Sequence, residues 1–168
     1  MTFDYLGILL RWLHILPAIA LVGGIIFARL ALLPAAEALP EGHRKTLQEG
    51  VRQRWIKVVM AASGLLILSG LVNFVRIIKG LPPEIQPFYH AMFGTKFVLA
   101  LLVFFLASVL AGRSAAFEKM RQNSRFWLTL TMILAIVLVC ISGVLRITRD
   151  NADKPRPAVS WVHDPLVP

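Results

Sequence analysis

The chain has 168 residues, 57% of them hydrophobic, and a mean hydropathy of +0.70, above the roughly 45–50% apolar content of soluble domains. A net charge of +9 would suggest nucleic acid in a soluble protein, but these charges flank long apolar runs, where lipid headgroups and topology account for them, and no aromatic-rich basic groove is visible; nucleic acid is excluded as a partner. Cys140 is the single cysteine, which excludes an intrachain disulfide and a cysteine-based metal cluster within one chain.

Four apolar blocks follow in chain order: Leu6–Leu33, Ile56–Ile78, Ala91–Ala111 and Phe126–Ile147. Each can cross a hydrocarbon core, which takes roughly 20 helical residues. Helices are expected because lipid cannot satisfy exposed backbone groups. The fold class expected is therefore all-α, an integral membrane four-helix bundle. Residues 1–150 form the four-span domain and 151–168 an extramembrane tail. The segment Met1–Gly7 has no Lys or Arg and carries Asp4, unlike the basic start of a signal peptide, so the first block reads as a retained span.

Loop 1, Pro34 to Trp55, contains Arg44, Lys45, Arg52 and Arg54; loop 3 contains Arg113, Lys119, Arg121 and Arg125. Loop 2 offers only Arg76 and Lys79 at its edge. The positive-inside rule puts loops 1 and 3 in the cytoplasm and both termini outside a cell (inner) membrane. Residues 42–53 suit a short amphipathic surface helix. Leu81-Pro82-Pro83 is a turn. The tail carries Pro155, Pro157, Pro165 and Pro168 and is expected to be extended, folding back through Trp161 and Val162. Trp12, Trp55 and Trp127 lie near predicted interfaces and read as belt residues.

Within span 1, His14 is an ionisable group inside an apolar run, a functional-site signal by default. At 100° per residue it shares a face with Arg11, Ala18, Val22, Ile25 and Arg29, the last read as an interface anchor. His14 lies roughly 12 Å in from the outer end at 1.5 Å per residue. Pro17, one turn later, frees the Leu13 carbonyl and is a candidate kink. Gly23-Gly24, Ser63-Gly64, Ser69-Gly70 and Ser142-Gly143 permit close helix approach or a flat ligand.

In span 2, Ser69, Asn73 and Arg76 share a face near the outer end. In span 3, His90 stands at the outer entrance with Lys96 roughly 9 Å deeper. These two are about 120° apart in phase, so Lys96 is placed inward and His90 at a rim. In span 4, Thr131, Ala135, Val139, Ser142 and Arg146 form a small-to-polar stripe. All four spans thus bring polar groups to the outer half.

Neutral imidazole is a good axial ligand for haem iron and also binds copper. Arg or Lys is the natural partner of haem propionates in a low-dielectric site. The candidate cofactor-binding set is His14, His90, Arg11, Asn73, Arg76, Lys96 and Arg146. His14 and His90 are the candidate metal ligands, and Lys96 the candidate catalytic residue. Copper fares less well: Met60, Met92 and Met132 are scattered with no Met-x-x-Met ladder, and nearby basic charges repel a bare cation.

The run Trp12-Leu13-His14, then Gly23-Gly24-Ile25-Ile26-Phe27-Ala28-Arg29-Leu30, resembles the first helix of HemJ-type protoporphyrinogen oxidases and of the membrane domain of CopD-type copper-resistance proteins. Phe88-Tyr89-His90, then Lys96-Phe97-Val98-Leu99, is similar to a later helix of the HemJ type, with a longer His–Lys spacing. The resemblance covers about half the chain. It implies a bundle binding haem b, with His14 as axial ligand and Lys96 as an essential site residue. The tyrosine-and-histidine continuation after the arginine is absent, so haem binding carries over further than the oxidase reaction.

The expected function is electron transfer or porphyrinogen oxidation, with a quinone or another redox protein as partner. The alternatives are a CopD-like copper or small-ion transporter and a cofactor-free membrane subunit. The bilayer is the expected surrounding, with a homo-oligomer or larger membrane complex as possible assemblies.

Overall fold

A computed structural model describes residues 4–152. The helices in chain order are α1 (Tyr5–Phe27), α2 (Leu33–Glu37), α3 (Glu41–Ile78), α4 (Gln86–Ala111), α5 (Glu118–Gln122) and α6 (Ser124–Ala152). No strand occurs among the described residues. The protein is an all-α membrane four-helix bundle. Four helical stretches are long and apolar enough to cross a membrane: Tyr5–Glu37, Glu41–Ile78, Gln86–Ala111 and Ser124–Asn151. Only 17–22% of the most apolar window of each is buried in the protein, so most of that surface needs an apolar surrounding that a bilayer supplies.

The chain runs up, down, up and down. α1 packs on α3, α3 on α4, α4 on α6, and α6 back on α1. One end holds the start of α1 and loop 2, joined by an ion pair between Asp4 and Arg76 at 2.7 Å. The other holds loops 1 and 3, joined by the pairs Arg113–Glu49 and Arg125–Glu37.

Local sequence explains the element ends. Asp4 caps α1 by accepting the Gly7 amide at 2.9 Å, so one orphan donor of the first turn is satisfied. α1 continues unbroken through Pro17. A π turn, Ala28–Leu32, joins α1 to α2, and the Leu33 amide reaches the Ala28 carbonyl five residues back. Pro34 has no amide proton to continue the ordinary ladder there, which accounts for the widened turn.

Loop 1 differs from its sequence reading. Only Ala38–Pro40 separates α2 from α3, and the expected surface helix at 42–53 is the first part of the 38-residue α3. Glu41–Lys45 at 2.6 Å and Glu49–Arg52 at 2.5 Å are one-turn pairs that support this charged section. The tail beyond residue 152, with the expected fold-back of Trp161 and Val162, lies outside the described residues.

The core follows a seven-residue rhythm. Inward positions are Ala18, Leu21 and Ile25 on α1, and Val59, Ala62, Leu66 and Ser69 on α3. On α6 they are Thr131, Ala135, Leu138, Ser142 and Leu145. Steps alternate between three and four, the spacing of left-handed bundles. The stripe expected on span 4 therefore holds for Thr131, Ala135 and Ser142 and fails for Val139 and Arg146, both exposed. Leu138 and Leu145 take the inward places, because a seam of 3.5 residues per turn drifts away from the 3.6-residue period of a straight helix.

Trp55 also departs from its belt reading. Its indole packs against the core cluster and lies on Gly24, where an added Cβ would meet the six-membered ring at Cζ3 and Cζ2 within 2.6 and 2.8 Å. Gly23, its neighbour, has nothing within 4 Å of such a Cβ.

Candidate functional site

The site lies in the half of the bundle nearer the N-terminus, where α1, α3 and α4 meet. His14 is half-buried on α1, one seam step before Ala18. Its Nδ1 is 2.9 Å from the Ser69 hydroxyl oxygen. Ser69 is itself buried at 4% exposure, and its hydroxyl lies 2.5 Å from the Leu65 carbonyl oxygen. Two oxygens this close share a proton, so the single hydroxyl proton of Ser69 goes to Leu65. The Ser69 lone pairs then accept from His14, which fixes the proton of the imidazole on Nδ1. Nε2 is left with its lone pair free, the tautomer in which histidine binds a metal through Nε2.

Gly70 lets the ring lie this close. A Cβ at Gly70 would be 3.3 Å from His14 Cε1. The Ser69-Gly70 pair thus has two separable jobs: the serine orients the ring and the glycine makes room for it. Two other small polar residues of the seam bond within their own helix, while the buried Ser63 hydroxyl has no hydrogen-bond partner among the described residues. Thr131 donates to the Trp127 carbonyl and Ser142 to the Leu138 carbonyl, each at 2.7 Å. Such back-bonding satisfies the hydroxyl without reaching a neighbour.

Lys96 projects from α4 at a half-buried position, and its charge is near enough to act on the His14 ring. Beside it runs an aromatic stack. Phe74 of α3 stacks on Phe93 of α4, with centroids 3.9 Å apart and planes 18° from parallel. Phe93 continues to Phe97 at 6.2 Å, and Tyr89 lies nearly parallel to Phe74 at 6.3 Å.

The remaining candidates are less central. His90 is exposed, with its ring edge-on to Phe74 at 5.3 Å. Asn73 is half-buried, one turn past Ser69. Arg76 is engaged with Asp4 at the bundle end. The Gly7 amide, with Arg76 adding to it, holds the Asp4 carboxyl below its ordinary value of 3.8. Arg11 is exposed. Arg146 is exposed and pairs with Asp150 at 3.5 Å. Arg29 reaches across to α6, its Nε donating to Thr129 Oγ1 at 2.6 Å. The structure thus gathers His14 and Lys96 and leaves Arg11, His90 and Arg146 on exposed positions.

Ser69 as the partner of His14, and the stack of Phe74, Phe93 and Phe97, were not singled out by sequence reasoning. The pairing of Ser69 with a glycine, and the four-residue spacing of Phe93 and Phe97, were the available signals. Among the described residues no three His, Cys, Asp or Glu side chains cluster as a metal site would require.

An uncharacterised protein of Aquifex aeolicus (strain VF5) is similar to this chain. It is 28% identical over 140 residues, which cover 83% of this chain and 94% of the relative. No family model matches the chain. No solved structure matches it either.

Proposed function

We propose that this is a multi-pass protein of the cell (inner) membrane that holds haem b through His14 and serves electron transfer or porphyrinogen oxidation. One observation carries the reading: the Ser69 hydroxyl fixes the His14 proton on Nδ1 and leaves Nε2 free as a ligand atom. Metal-bound histidines are oriented in this way through their second nitrogen.

The residues present fit a porphyrin better than a bare ion. A porphyrin supplies four of the iron's donors, so one imidazole suffices, while a bare ion draws all its ligands from the protein, and among the described residues no three His, Cys, Asp or Glu side chains come together. This favours haem over the CopD-like alternative. The resemblance to HemJ-type proteins points the same way. Bound haem would supply one-electron redox chemistry. His14 would hold the iron, Ser69 would hold His14, and Lys96 would face a propionate or a substrate carboxylate. Phe74, Phe93 and Phe97 offer flat apolar faces that exclude water. The exposed His90 leaves His14 as the main ligand. The positive-inside rule places both termini outside and loops 1 and 3 in the cytoplasm. A quinone or redox protein would take the electrons.

Protein purified in detergent from haem-replete cells should carry a Soret band that His14→Ala abolishes. A colourless wild-type preparation would sink the proposal. Copper found without haem would turn it to the transport reading.

A further inference from the structure

At the end of the bundle opposite His14, a cavity of about 520 Å³ opens between the helices. Its volume is in the range of small-molecule sites. Its floor is apolar, with Ile25, Leu33 and Trp55 from α1, α2 and α3. Charged side chains line it as well: Lys45, Glu49 and Arg52 from α3, and Glu118 and Arg121 from α5.

These arginines are only partly satisfied. Arg52 gives Nη2 to Glu49, and Arg121 gives Nη2 to Glu118, each at 2.5 Å and three residues back. Arg52 Nε and Arg121 Nη1 are buried, and no acceptor among the described residues reaches either. The Arg121 side chain is 13% exposed. Buried guanidinium donors without acceptors are costly, and such groups in a native protein call for an explanation. The carboxylates do not supply it: Glu118 is engaged by Arg121, and Glu49 by Arg52 and Arg113. What is unmet is demand for hydrogen-bond acceptors above an apolar floor.

We infer that this cavity binds the phosphate headgroup of an anionic membrane lipid, with Arg52 and Arg121 gripping the phosphate and the start of its chain lying over Trp55. Arginine matches phosphate oxygens with paired donors. The cavity joins the apolar spans to the basic loops, the level at which lipid headgroups lie. It is distinct from the His14 site and does not depend on the haem proposal.

The test uses the full chain in dodecyl maltoside, with bound dioleoyl phosphatidylglycerol counted by native mass spectrometry. The expected result is one retained lipid in wild type and at least about ten-fold weaker retention in Arg52→Gln/Arg121→Gln, since each variant loses charge-assisted bonds. His14→Ala should bind the lipid as wild type does. Equal retention by the double variant would overturn the inference, as would equal retention of dioleoyl phosphatidylcholine. Displacement of the lipid by millimolar inorganic phosphate would make the free ion the ligand and likewise overturn it. If the double variant does not fold, brominated lipids decide. The emission component removed by Trp55→Phe should be quenched more by brominated phosphatidylglycerol than by brominated phosphatidylcholine at equal mole fraction; equal quenching refutes the site.

Discussion

Adding one methyl group at Gly24 should destabilise the bundle, while the same change one residue earlier should stabilise it. A Cβ at Gly24 falls on the indole of Trp55, which is wedged against the core, whereas a Cβ at Gly23 meets nothing within 4 Å. Both substitutions gain about 1 kcal/mol of helix propensity. Only Gly24→Ala adds an overpacking cost of about 1–3 kcal/mol. The difference between the variants therefore isolates the clash at about 1–3 kcal/mol, with Gly23→Ala the more stable. Trp55→Phe removes the benzo ring that the new methyl strikes. In a double-mutant cycle, Gly24→Ala should be less harmful in the Trp55→Phe background by most of that amount. Reversible unfolding in mixed micelles, followed by circular dichroism, gives all the values. Equal stabilities for the two alanine variants, or a cycle with no coupling, would refute the packing of Trp55 on Gly24.

Ser69→Ala should weaken haem retention by about 10–100-fold, the usual effect of removing the group that orients a ligating histidine; dialysis against apomyoglobin with optical readout measures it. Gly70→Ala should have a smaller effect in the same assay, because a Cβ 3.3 Å from His14 Cε1 asks the ring to shift by only a few tenths of an ångström. Acid should loosen the start of α1. The folded Asp4 carboxyl titrates below 3.8, so its cap contributes fully above that pH and is lost as pH falls through the lower folded value. The protection factor of the Gly7 amide, its exchange rate taken relative to the intrinsic rate at each pH, should fall there in wild type but show no such step in Asp4→Asn. Glu37→Gln breaks an exposed pair with Arg125 and should leave the thermal unfolding midpoint nearly unchanged, since solvent screens such pairs.

The four spans were legible because apolar blocks of this length have few other uses. The start of α1 follows from local chemistry, the Asp4 carboxylate capping the Gly7 amide. The charged stretch 41–55 was harder: hydropathy marks it as a loop, yet its Glu–Lys and Glu–Arg spacing makes it helix. His14 and Lys96 could be placed inward from the sequence. Ser69 could not be named as the histidine's partner, since that contact joins positions 55 residues apart and depends on seam geometry. Arg146 lies off the seam because the expected stripe, at 3.6 residues per turn, steps four from Ser142, where the bundle's alternation of three and four steps three to Leu145. The cavity at Arg52 and Arg121 left no sequence signal beyond basic loops, because it is formed by helices that meet only after folding.

The length of α3 sets the depth of everything attached to it. Its 38 residues span about 57 Å, while hydrocarbon is about 30 Å thick. Arg54 and Lys57 resist entry into lipid, so the helix works as a plumb line whose zero is a pair of cations. Ser69 hangs about 18 Å below Lys57, and the imidazole it orients is held at that level. Sliding the histidine toward either aqueous phase would drag those charges with it, so its distance from each side of the membrane is set by residues that never touch it.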